Sequence, residues 1–79
     1  MELVQVTAHF DRNGEITPFE IIHGAFKYHV ESTGRRWQDE SGMHILVMVQ
    51  TIRVFELLFI PHECRWYLRQ VGIDRQNHA

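Results

Sequence analysis

Six histidines in a chain of 79 residues are the first side chains that could do chemistry. Zinc takes three or four ligands in a tetrahedron, usually contributed as spaced pairs such as C-x-x-C or H-x-x-x-H. The tightest pair here is His62-x-Cys64, and strand alternation can bring His29 or His44 towards it. No second pair of that kind follows, so neither a metal nor a cofactor is expected; His9, His23 and His62 read as turn or strand-end residues. Nucleophilic catalysis requires Cys64 or a serine beside a base and an oxyanion hole. Cys64 falls where a turn feeds a strand, which suits an apolar structural cysteine. Ser32 and Ser41 flank loops without a motif, and Glu20, Glu31 and Glu56 show no paired spacing. The glycines read as turn residues and form no phosphate-cradling loop. The expectation is a protein that is not an enzyme, with a metal-dependent enzyme as the third-ranked alternative.

Seven of the eight basic residues are arginines. Arginine beside exposed aromatic rings holds single-stranded nucleic acid by charge and stacking. Arg35-Arg36-Trp37 and Arg65-Trp66-Tyr67-Leu68-Arg69 offer such a surface, with Arg35, Arg36, Trp37, Arg65, Tyr67 and Arg69 as its residues. Binding of that kind is salt-sensitive, because displaced counterions drive it. The competing arrangement puts Trp66 and Leu68 in the core, Trp37 over a barrel end and the arginines against the ten acidic residues. The formal net charge of −2 and a pI near 6.3 give no overall electrostatic case for nucleic acid or an anionic membrane.

The third constellation is apolar. Between Met43 and Ile60, Ile45, Val47 and Val49 share one face while Leu46 and Met48 share the other. Further along, Phe55, Leu57 and Phe59 share a face opposite Val54, Leu58 and Ile60. A sheet of one small domain normally buries one face and wets the other. Two apolar faces need a second cover: barrel closure, the long loop around Trp37, or another subunit. A self-complementary apolar patch most often makes a twofold homodimer, with Leu46, Met48, Val54, Leu58 and Ile60 as its interface, so that Leu58→Glu would dissociate or unfold the protein.

The elements that position these residues follow from periodicity. Leu3 to Phe10 alternates and is β-branched, and Asp11-Arg12-Asn13-Gly14 ends it with a hairpin signal. Ile16 to Ile22 is a second strand whose Pro18 assigns its start to an edge or a bulge. After a turn at His23-Gly24, Ala25 to Glu31 places Phe26, Tyr28 and Val30 on one face. The polar run Ser32 to Gly42 continues as a strand extension and then a loop. Met43–Val49, Ile52–Ile60 and Cys64–Val71 complete the set, joined at Gln50-Thr51 and Pro61-His62-Glu63. The β-branched residues between Ile45 and Val54 argue against one long helix there. The sum is a single all-β domain over residues 1–72, a small antiparallel meander of about six strands, with a polar tail at 73–79. Without a covering helix it must curl into a barrel-like sheet, SH3-like in preference to OB-like.

The single cysteine and the lack of a charged segment leading into an apolar one at the start favour the cytoplasm. His44, Gln50, Arg53 and Glu56 make the most apolar window too polar for a membrane span.

The chain also resembles a family of small uncharacterised bacterial all-β proteins. The residues that carry this are Val6-Thr7 leading to Phe10-Asp11-x-x-Gly14, then Ile16-Thr17-Pro18, Phe19 before His23-Gly24, and Tyr28-x-Val30-Glu31-Ser32. Arg36-Trp37, Phe55-Glu56-Leu57 and Arg65-Trp66-Tyr67-Leu68 follow in order, the two tryptophans being the most specific part. The chain departs from the pattern at Val49-Gln50-Thr51-Ile52, where a polar Asp/Gly turn is usual. The resemblance implies a fold and no activity. The leading functional expectation is a non-catalytic protein-interaction module, homodimeric through the 43–60 hairpin; the alternative is a nucleic-acid-binding accessory domain.

Overall fold

The computed structural model describes residues 1–50 and 52–73, and the tail expected at 73–79 lies outside them except for Ile73. Six strands follow one another: β1 (Glu2–Phe10), β2 (Ile16–His23), β3 (Phe26–Gln38), β4 (Met43–Val49), β5 (Arg53–Ile60) and β6 (Arg65–Ile73). Each pairs antiparallel with its neighbour in sequence, and β6 returns to β1, so the meander closes into a barrel. Closure removes free sheet edges and gives the inward face a place to bury itself. Among the described residues no helix is long and apolar enough to cross a membrane.

The inward face is what alternation selects. Ile45, Val47 and Val49 of β4 meet Phe55 and Leu57 of β5, Trp66 and Leu68 of β6, and Ile16 and Ile21 of β2 in one buried cluster. Val4, Val6 and Ala8 of β1 and Tyr28 and Val30 of β3 pack around it. Trp66 is thus a core residue, tilted against Phe59 with ring centroids 4.9 Å apart. Phe26 departs from its expected partners: Tyr28 and Val30 face the core, but Phe26 stays 66% exposed at the β2–β3 turn.

Local chemistry sets the turns. The Asp11 carboxylate accepts from the backbone N–H groups of Asn13 (2.8 Å) and Glu15 (2.9 Å), which closes the β1–β2 turn. Pro18 sits where the β1–β2 register slips, opposite Ala8, so its missing N–H breaks no regular ladder. Ile52 and Cys64 take positive φ in the turns before β5 and β6, which is why those strands start one residue later than periodicity alone suggests.

The largest revision concerns β3. It continues through Ser32–Gln38 as a strand paired with β4, and only Asp39–Gly42 remains as a turn. Two register slips, between Val30 and Ser32 and between Thr33 and Arg36, let this polar stretch follow the curved sheet. The second slip sends Arg36 towards the barrel end and Trp37 outwards.

Candidate functional site

The outer face of β3–β6 carries most of the chemistry-bearing residues. Trp37 pairs with His44 across β3–β4, His44 with Leu58 across β4–β5, and Glu56 lies between Leu46 and Arg69. The rings of Trp37 and His44 stack within 3° of parallel, centroids 4.8 Å apart, and the Arg35 guanidinium lies 5.0 Å from the Trp37 centroid. Trp37 therefore does not cap a barrel end. Arg36 takes that role, donating to the carbonyl of Ile16.

His44 and Glu56 are buried although they point outwards. His44 Nδ1 lies 2.6 Å from Glu56 Oε2, and its Nε2 lies 2.9 Å from Asp39 Oδ1. An ionised carboxylate only accepts, so two ionised partners require both ring nitrogens to donate, an arrangement that favours the imidazolium form. Arg69 closes the row, with Nε 3.0 Å and a terminal nitrogen 2.9 Å from Glu56 Oε1. Asp39 also accepts from the backbone N–H of Ser41 at 2.8 Å, so one carboxylate shapes the β3–β4 turn and holds the histidine.

The electrostatics agree with that geometry. Burial is the strongest single influence on His44 and disfavours its charge, but its hydrogen bonds to Asp39 and Glu56 and their negative charges together hold its pKa above the ordinary 6.5. Burial likewise pushes Glu56 upwards, and the hydrogen bonds from His44 and Arg69 with their positive charges overcome it, leaving the carboxyl below its ordinary range. Asp39 is lowered chiefly by its hydrogen bond with His44. Two carboxylates and two cations form a neutral row that ties the turn, β4, β5 and β6 together. With both nitrogens engaged, His44 has none left for a metal or for proton transfer to a substrate.

The arginine–aromatic set is divided by this row. Arg35 and Trp37 lie on its β3 side, and Arg65, Tyr67 and Arg69 run along β6 beyond β5. Tyr67 donates to Glu63 at 2.9 Å, Arg69 is held by Glu56, and Arg36 faces the barrel end. Acidic groups thus sit among the six residues, and they do not form one basic face.

The apolar outward residues split differently. Leu46, Met48 and Val54 are half-buried neighbours, Met48 lying opposite Val54. With Ser32 and Gly34 of β3 they line a shallow trough of about 170 Å³. Ile60 lies towards the other end, also half-buried. Leu58 is buried within the chain, with its side chain packed where the Gly42 turn passes over β5.

Alternation alone places His44 and Glu56 on the same outward face as Leu46 and Val54, as polar interruptions of an apolar stripe. That was the available signal for the charged row, but joining it to Asp39 and Arg69 needs the strand register. Comparison of the chain with protein-family models, with curated proteins and with solved structures finds no match in any of the three.

Proposed function

We propose that this barrel is a non-catalytic protein-interaction module that forms a homodimer through the outer face of its 43–60 hairpin. The observation that supports it is the trio Leu46, Met48 and Val54, adjacent on the outward face beside the trough at Gly34. Apolar side chains grouped on the solvent side of a small barrel, rimmed by polar residues, are the usual mark of a contact surface. A twofold contact needs one self-complementary patch, and the half-buried apolar trio beside the trough offers a surface of that kind. The neutral row His44–Glu56–Arg69 alongside it stiffens the two strands that present the patch. Leu58 is buried under the Gly42 turn, away from the trio, so Leu58→Glu is a test of folding; Met48, half-buried and outward, is the residue to change.

Light scattering on the full chain tests the reading. The expected mass at micromolar concentration is twice the 9.4 kDa of one chain, and Met48→Glu should give a folded monomer. A wild-type protein that stays strictly monomeric up to about 100 μM, weaker than ordinary specific association, would sink the proposal. The nucleic-acid alternative draws its support from Arg35 over Trp37 and from the exposed Arg65 alone, which is why it ranks second.

A further inference from the structure

The exposed apolar side chains are unevenly distributed. Among the described residues Met1, Phe26, Ile52 and Val71 lie near the end of the barrel where the β2–β3 and β4–β5 turns meet the start of β1, while the other exposed large ones, Leu3, Phe10 and Phe19, lie elsewhere. That end opens into a cleft of about 370 Å³, within the volume range of small-molecule sites, which favour barrel mouths. Its apolar wall is a ladder of rings leading inwards. Phe26 stands 6.3 Å from Tyr28, and Tyr28 meets Phe55 edge-on at 5.1 Å. Leu68 forms the floor. Phe26, at the head of this ladder, is 66% exposed.

The polar rim has an imbalance of charge. Glu2 is engaged by His23, and Arg69 is engaged by Glu56. Arg53, exposed at the start of β5, also lines the cleft, and among the described residues no carboxylate stands within ion-pair distance of it. A guanidinium presents two parallel N–H donors that fit a carboxylate, and aromatic rings accept a further ring edge-on or offset.

We propose that this mouth is a binding site for a small aromatic carboxylate, its ring against Phe26 and Tyr28 and its anionic group on Arg53. The proposal is independent of the dimer, since the Leu46–Met48–Val54 patch lies on the side of the barrel and takes no part in it.

The test is an amide chemical-shift titration of the full chain with three probes: 3-phenylpropionate, 3-phenylpropionamide and propionate. The expected result is saturable shifts centred on Phe26, Tyr28, Arg53 and Phe55 with the aromatic acid. The amide should bind about tenfold more weakly, the usual weight of one hydrogen-bonded charge, and propionate more weakly still. Arg53→Gln should bring acid and amide to parity, and Phe26→Ser should weaken both; both residues are exposed, so the variants keep the fold. Absence of saturable shifts with 3-phenylpropionate at about 10 mM, weaker than millimolar binding, would overturn the proposal. So would equal affinity for acid and amide in the wild type, or shifts centred elsewhere on the barrel.

Discussion

His44 is the residue where burial, charge and geometry meet most closely. Its side chain is 9% exposed, yet it lies between the carboxylates of Asp39 and Glu56, which favour its charged form. The sign of its pH dependence follows from the directions of the shifts. Its pKa is raised on folding, so its contribution is complete below 6.5 and is lost as pH rises through the folded-state value. Glu56 is lowered, so its contribution is complete above 4.5 and is lost as pH falls through the folded-state value. The row is therefore strongest between those limits. In urea unfolding, His44→Gln should lower stability by about 1–3 kcal/mol there, since it leaves Glu56 buried with one partner fewer. The difference from wild type should shrink towards alkaline pH. A deficit that stays constant from mildly acid to alkaline pH would show that His44 acts only by packing on Trp37.

At the scale of the element, the β3–β4 turn shows how much one position can govern. Gly42 adopts φ +151°, and a Cβ there would collide with the Phe59 carbonyl. The close approach lets the turn lie over β5, covers Leu58 and brings Asp39 within reach of His44. Gly42→Ala should cost about 1–3 kcal/mol, seen as a Tm fall of at least about 5 °C for a domain this size. An unchanged Tm would mean that the turn can shift without releasing the row. The strand positions themselves were readable, because β-branched alternation and Asn-Gly or Pro punctuation are local signals. The length of β3 was not. Apart from Trp37, Ser32–Gln38 has no large apolar side chain, so periodicity does not show where the expected strand extension stops, and the stretch is a strand to Gln38 because β4 offers it a partner.

Across the whole molecule, the ladders are unequal. β5 and β6 align eight residue pairs, from Arg53↔Ile73 to Ile60↔Arg65, whereas β1 and β6 align only Glu2↔Leu68, Leu3↔Tyr67 and Val4↔Trp66. The barrel is thus closed by its shortest seam. Local opening follows the weakest packing, so in native-state hydrogen exchange the amides that bond across the Glu2–Val4 seam should exchange well ahead of those in the β4–β5 ladder. Equal protection across the seam and the β4–β5 ladder would show that the barrel opens only as a unit.

The division between what local patterning carries and what folding adds is clear in two sets of residues. Composition and alternation were enough for an all-β chain, six antiparallel strands and a core holding Trp66, Leu68, Ile45 and Val47, because burial of one face is encoded within each strand. The charged row joins Asp39 of a turn to His44, Glu56 and Arg69 of three strands, and the barrel mouth joins Phe26 and Tyr28 of β3 to Arg53 and Phe55 of β5. Their meeting depends on inter-strand register and on two bulges in β3, and register is a property of paired strands that no single strand contains.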